Sequence, residues 1–180
     1  MMAPLLRTSG LGLASTLLAS LAAAAPPSSP PPADPYQPLA FLVGHCWKGT
    51  FAKGGQTDEH CFSRIYDGKF LRDEHVVHSS DASPDEFGET IYLWNSATAQ
   101  LEYLYIESGG GFLRGTATLD GAAVVFPAAG YVDHGKTMNV RSRWQRAGDD
   151  AYQVTTEFEV GGRWVPGFSL RMWRQPHAAG

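Results

Sequence analysis

From residue 44 to residue 174 the chain is divided into short runs of aromatic and β-branched residues by Gly, Asp and Asn, and no stretch carries an extended helical period. That rhythm is the signature of successive strands and turns. It predicts strands at 44–52, 58–66, 69–78, 87–95, 100–107, 111–119, 122–127, 136–146, 151–160 and 163–174. Most connections, such as Asp67-Gly68, Asp120-Gly121 and Gly161-Gly162, are hairpin-sized. The links at 79–86 and 128–135 are longer, yet neither has room for a helical crossover. Consecutive strands must therefore pair antiparallel. A meander of this length removes its edges by closing on itself. The expected fold is all-β, an up-and-down antiparallel β-barrel of about ten strands, with a two-sheet sandwich as the alternative.

The N-terminal end has a different character. Arg7, an apolar run from Leu11 to Leu21 and the small residues Ala22-Ala23-Ala24 read as a signal peptide over 1–24, cut after Ala24. The apolar run is too short to span a membrane, and no Cys follows it to carry a lipid, so no membrane anchor is expected. Residues 25–38 are Pro-rich and read as a linker, which leaves the barrel domain at 39–176. Loss of Arg7 leaves 13 Lys and Arg against 18 Asp and Glu, taking the net charge from −4 to −5. A mildly acidic chain without a basic run argues against nucleic-acid or anionic-membrane partners. A secreted or periplasmic location suits its two cysteines as a disulfide.

The segment FLVGHCWKGTF, residues 41–51, resembles the opening strand of calycins, the lipocalin-like barrels, and WVPGFSLRMWR, residues 164–174, is similar to their closing strand. The likeness is closest to bacterial secreted lipocalin-like domains of unknown function and more distant to nitrobindin-type ten-stranded barrels. It implies a short N-terminal helical turn leading through Gly44 into a strand with an inward Trp47. It also implies a cation from the last strand under that Trp. Trp164, Phe168, Leu170, Met172 and Arg174 share a parity whose apolar members mark an inner face. Arg174 is therefore expected against Trp47, a contact of roughly 0.5–2 kcal/mol. Tyr152, Val154, Phe158 and Val160 form another inner face, and the two agree if Gly161-Gly162-Arg163 is a three-residue loop.

Strand alternation sorts the remaining side chains. A first hairpin turning at Lys53-Gly54 sets Cys46 opposite Cys61, Lys48 opposite Glu59 and Trp47 opposite His60. The Cys and Lys–Glu pairs mark the outer face; His45, Trp47, Phe51, His60, Phe62, Arg64 and Tyr66 mark the inner one. A second hairpin at Asp67-Gly68 sets His60 opposite His75 and Phe62 opposite Asp73, with Asp73 diagonal to Arg64. A Cys46–Cys61 disulfide closes a loop of about 15 residues, worth about 3 kcal/mol in the chain-entropy model.

The four residues His45, Cys46, His60 and Cys61 have zinc-ligand chemistry but cannot meet at one ion, because neighbours on a strand face opposite sides. Asp58, His60, Asp73 and His75 could hold a divalent ion, pair for proton transfer, or form a compensated polar network in the wall. No metal is assigned on this basis. A haem ligand in the nitrobindin manner would need a late His, and only His177 in the tail is available, so no cofactor is expected. Nucleotide-binding glycines, a nucleophile elbow and a His-Glu-x-x-His helix are all missing from the sequence.

The expected function is binding of a small, partly apolar molecule inside the barrel, in the space between Trp47, His75 and Trp144. Aromatic residues including Phe62 would supply area, and His60, His75, Asp73 and Arg64 would orient a polar group. The alternatives are a barrel enzyme using His60 or His75 with Asp73 for acid–base chemistry, and a solid-packed accessory protein whose partner is another protein.

Overall fold

The structure, a computed structural model, describes residues 34–176. The expected signal peptide, the larger part of the linker and His177 lie outside the described residues. After a 3-10 turn at Gln37–Leu39 come ten strands: β1 (Cys46–Thr50), β2 (Thr57–Ile65), β3 (Phe70–His78), β4 (Glu86–Asn95), β5 (Gln100–Glu107), β6 (Phe112–Asp120), β7 (Ala123–Asp133), β8 (Lys136–Arg146), β9 (Ala151–Val160) and β10 (Arg163–Arg174). Each pairs antiparallel with its neighbours in sequence, and β10 returns to β1 through Trp47↔Arg174 and Lys48↔Trp173, so the sheet is a closed barrel. The sandwich alternative is not the fold.

The first two hairpins have the register that alternation requires, with Trp47 opposite His60 and His60 opposite His75. The first turns through a loop closed by the Phe51 amide donating to the Gln56 carbonyl at 2.9 Å. The disulfide Cys46–Cys61 lies on the outer face beside the Lys48–Glu59 pair, whose N···O distance is 3.2 Å. Tyr66 departs from expectation. β2 ends at Ile65 because Tyr66, Asp67 and Gly68 all take left-handed φ angles of 52°, 56° and 78°, which turns the Tyr66 side chain out into solvent.

Two β-bulges correct the reading of the later strands. Arg163 pairs with Val160, so Gly161-Gly162 is a two-residue turn and not a three-residue loop. The parity change falls instead at Gly167, between the Pro166 and Phe168 pairings. A Cβ on Gly167 would collide with the Phe158 ring, so this bulge suits glycine. As a result Phe168, Leu170 and Met172 face inward, while Trp164 pairs opposite Glu159 and lies outside under the Arg141 guanidinium at 4.4 Å. The second bulge lies in β7 between Phe126 and Ala129. The strand continues through Pro127 to Asp133, and the expected link at 128–135 shrinks to a turn at His134-Gly135.

Burial divides the barrel interior into two halves. At the end where β1 begins and β10 finishes, the inward residues Trp47, Phe62, Leu71, Tyr92, Tyr103, Trp144, Tyr152 and Leu170 are buried. The segment before β1 closes that end. Tyr36, Leu39 and Leu42 are buried there, the Tyr36 hydroxyl donates to the Lys69 carbonyl at 2.6 Å, and the Trp47 indole donates to the Leu42 carbonyl at 3.2 Å. Contacts of this segment reach back to Asp34, whose carboxylate meets Arg64 at 2.7 Å. Toward the opposite end, inward residues of the later strands are exposed: Met138 and Phe168 at 39% and Val165 at 37%.

Candidate functional site

Between the packed half and the open half lies a layer of ionisable side chains. Asp58 and His60 come from β2, two residues apart and hence on one face; Asp73 and His75 come from β3 by the same rule. The His60 and His75 rings stack with centroids 4.8 Å apart, as their opposed register dictates. His60 Nδ1 meets both Asp73 carboxylate oxygens at 2.8 and 3.1 Å, and His60 Nε2 meets Asp58 Oδ2 at 3.1 Å. His75 Nδ1 lies 3.2 Å from Asp58 Oδ1, and His75 Nε2 lies 3.2 Å from the Tyr105 hydroxyl. With Asp58 ionised, the network assigns both His60 nitrogens and His75 Nδ1 as donors, and the Tyr105 hydroxyl donates to His75 Nε2.

Burial opposes charge on His60, but the Asp73 and Asp58 carboxylates and their hydrogen bonds outweigh it and push its pKa up to about 10. Asp58 is the counterpart. Burial pushes it up, yet the His60 charge and hydrogen bonds from His60 and His75 draw it well below the usual carboxylate range. Burial pushes the Tyr105 hydroxyl far up, so it remains a neutral donor. Asp73 is 1% exposed, and its carboxylate meets His60. The cluster therefore brings two carboxyl groups and two imidazoles together in one layer.

Other expected site residues fall elsewhere. Arg64 does not approach Asp73. It turns to the closed end, where it pairs with Asp34 and stacks over the Tyr36 ring at 4.7 Å. Asp34 and Tyr36 precede the expected domain start, so a reading confined to 39–176 could not supply this partner. The space expected between Trp47, His75 and Trp144 is occupied on the Trp side. Tyr152 stands between the two indoles, with centroids 5.3 Å from Trp47 and 5.6 Å from Trp144. Phe62 packs edge-on to Trp144 at 6.1 Å. Trp47 and Phe62 thus belong to the packed half, and Trp144 reaches from it to within 6.1 Å of His60. Arg174 lies 6.0 Å from the Trp47 ring centroid and pairs with Asp150.

Two contributors have no motif. Tyr105 reaches His75 from β5, two strands away. Gly88 of β4 is paired opposite His75, and any Cβ there would collide with the His75 ring. The missing side chain is what gives the imidazole its place. Extending the register to a third hairpin would have flagged Gly88, because it fixes the partner of His75.

The closed ten-stranded antiparallel barrel is consistent with a calycin-like fold. No family model matches the chain, and no curated protein matches it. Among the described residues no helix is long and apolar enough to cross a membrane, and the disulfide is compatible with an extracellular or periplasmic setting.

Proposed function

We propose that this protein is an exported binding barrel of lipocalin-like kinship that takes a small, partly apolar molecule through its open end. The observation that supports this most directly is the exposure of inward apolar side chains, Met138, Val165 and Phe168, above a layer of His, Asp and Tyr. Such an apolar wall with a few convergent polar groups is the usual make-up of a ligand site. The floor presents the carboxylate oxygens of Asp58 and Asp73, and Arg64 is turned away from it. The polar end of the ligand is therefore a cation or a hydrogen-bond donor, and an anion is disfavoured. Export rests on the N-terminal signal pattern and the disulfide.

The acid–base alternative is weakened at its first candidate. His60, held protonated by two carboxylates, has no lone pair to accept a proton near neutrality.

The test is a fluorescence titration of chelator-treated protein with dansylcadaverine, an apolar amine, alongside the anionic probe anilinonaphthalene sulfonate. Saturable binding of the amine in preference to the anion is expected, with loss in Phe168→Arg and Met138→Arg. Equal binding to both variants, or no saturable binding at all, would sink the reading. Native mass spectrometry of protein from the exported fraction would identify any molecule that co-purifies.

A further inference from the structure

We propose that Asp58, His60 and His75 form a divalent-metal site, best matched to zinc, that faces the open half of the barrel. One ligating atom from each lies within 4.8 Å of those of the other two. The set of two imidazoles and one carboxylate is that of three-ligand zinc sites, which leave further positions for water or a bound molecule. Zinc bonds of about 2.0–2.1 Å place tetrahedral ligand atoms about 3.3 Å apart. Asp58 Oδ2 lies 3.1 Å from His60 Nε2 and Asp58 Oδ1 lies 3.2 Å from His75 Nδ1, so the carboxylate faces both nitrogens with one oxygen each, near that spacing.

The outer contacts of both rings also suit a bound metal. Metal-bound imidazoles have the other ring nitrogen fixed by a carboxylate, carbonyl or similar partner. Both rings already have one. His60 Nδ1 is held by the buried Asp73 carboxylate, and His75 Nε2 lies 3.2 Å from the Tyr105 hydroxyl, which can accept as well as donate. Each ring thus keeps its Asp58-facing nitrogen for the ion, as a lone pair once the proton on that nitrogen has left. All the ligands stand on strands, and Gly88 gives the His75 ring its space, so the arrangement does not depend on a loop. The other cluster of ligating types, Cys46, Glu59 and Cys61, has no thiolates to offer because its sulfurs are bonded to each other. The site deepens the binding-barrel reading, since an ion here would present its open positions to the mouth. It rests on that reading only for access, and its test needs no organic ligand.

Chelator-treated full chain is titrated with Zn²⁺, and with Co²⁺ to read nitrogen and oxygen coordination from the visible bands. One ion per chain is expected. His75→Gln and Asp58→Asn are expected to weaken binding at least about 10-fold, and Asp73→Asn and Tyr105→Phe, which act through the rings, about 10–100-fold. Gly88→Ala is expected to weaken it by displacing His75. The control His78→Gln, whose imidazole pairs with Asp85 in the loop after β3, should leave it unchanged. Circular dichroism melts identify which variants fold. The proposal is overturned if no ion binds, if the folded variants among His75→Gln, Asp73→Asn and Tyr105→Phe keep wild-type affinity, or if His78→Gln abolishes binding. Amine-probe binding by metal-free protein is a separate result, so either proposal can fail without the other.

Discussion

His60 condenses the residue-scale physics of this protein. A largely buried imidazolium would be costly by itself, but carboxylates on both sides reverse the sign. The pH dependence follows from the direction of each shift. The pKa of His60 is raised on folding, so its contribution is complete below its unfolded value near 6.5 and is lost as pH rises through about 10. Asp58 is depressed, so its contribution is complete above its unfolded value near 3.8 and is lost as pH falls toward its lower folded value. Metal-free protein should therefore lose stability both above about pH 6.5 and below about pH 4, and denaturant midpoints measured from about pH 2 to 10 would check it. In His60→Gln the alkaline decline should flatten; an unchanged decline would refute the assignment. Tyr152 offers a second residue-scale expectation. Its hydroxyl is buried with no hydrogen-bond partner among the described residues, and burial, with the Asp73 and Asp58 charges behind it, raises its pKa. An orphaned buried hydroxyl costs about 1–3 kcal/mol, so Tyr152→Phe should be neutral or stabilising in thermal melts.

At the scale of elements, the hairpin is the unit that sets the chemistry. Adjacent residues His60 and Cys61 have opposite fates because the pleat alternates, one entering the polar layer and the other the outer disulfide. The bridge spans 15 residues of sequence, for which chain entropy gives about 3 kcal/mol. Replacing both cysteines with Ala should lower the melting temperature by roughly 10 °C without altering the inward register. Calorimetry would measure the first effect and amide exchange in β1 and β2 the second. In the later strands, where alternation failed, the cause was a single extra residue. The Gly167 and Pro127–Ala128 bulges each shift parity by one, which sends Trp164 outward and brings Tyr131 into line with Leu113.

Across the whole molecule, the asymmetry between the two ends is the main functional feature. The chain before β1 folds under the barrel and joins the aromatic interior, with Phe41 packed edge-on to both Trp47 and Tyr152 at about 6 Å. Leu39 and Leu42 are fully buried there. Leu39→Ala should cost about 2–5 kcal/mol in chemical denaturation, as in other packed cores. Because the plug lies at the far end from Met138 and Phe168, a folded Leu39→Ala variant should keep its affinity for the amine probe. A parallel loss of probe binding would place the ligand at the plugged end instead.

Local signals determined most of the fold. Turn residues and period-two alternation marked ten antiparallel strands and paired Cys46 with Cys61 and His60 with His75, because adjacent strands in a hairpin are registered by the turn between them. Tertiary structure decided what neighbouring strands cannot encode. Arg64 left Asp73 for Asp34 because a segment read as linker folds back under the barrel. Tyr152 filled the space between the two indoles because closure brings β9 round to face β1. Tyr105 joined the His75 environment from two strands away. Strand order was written in local turns, whereas the position of the packed half, and so of the open one, depended on side chains that meet only once the sheet has closed.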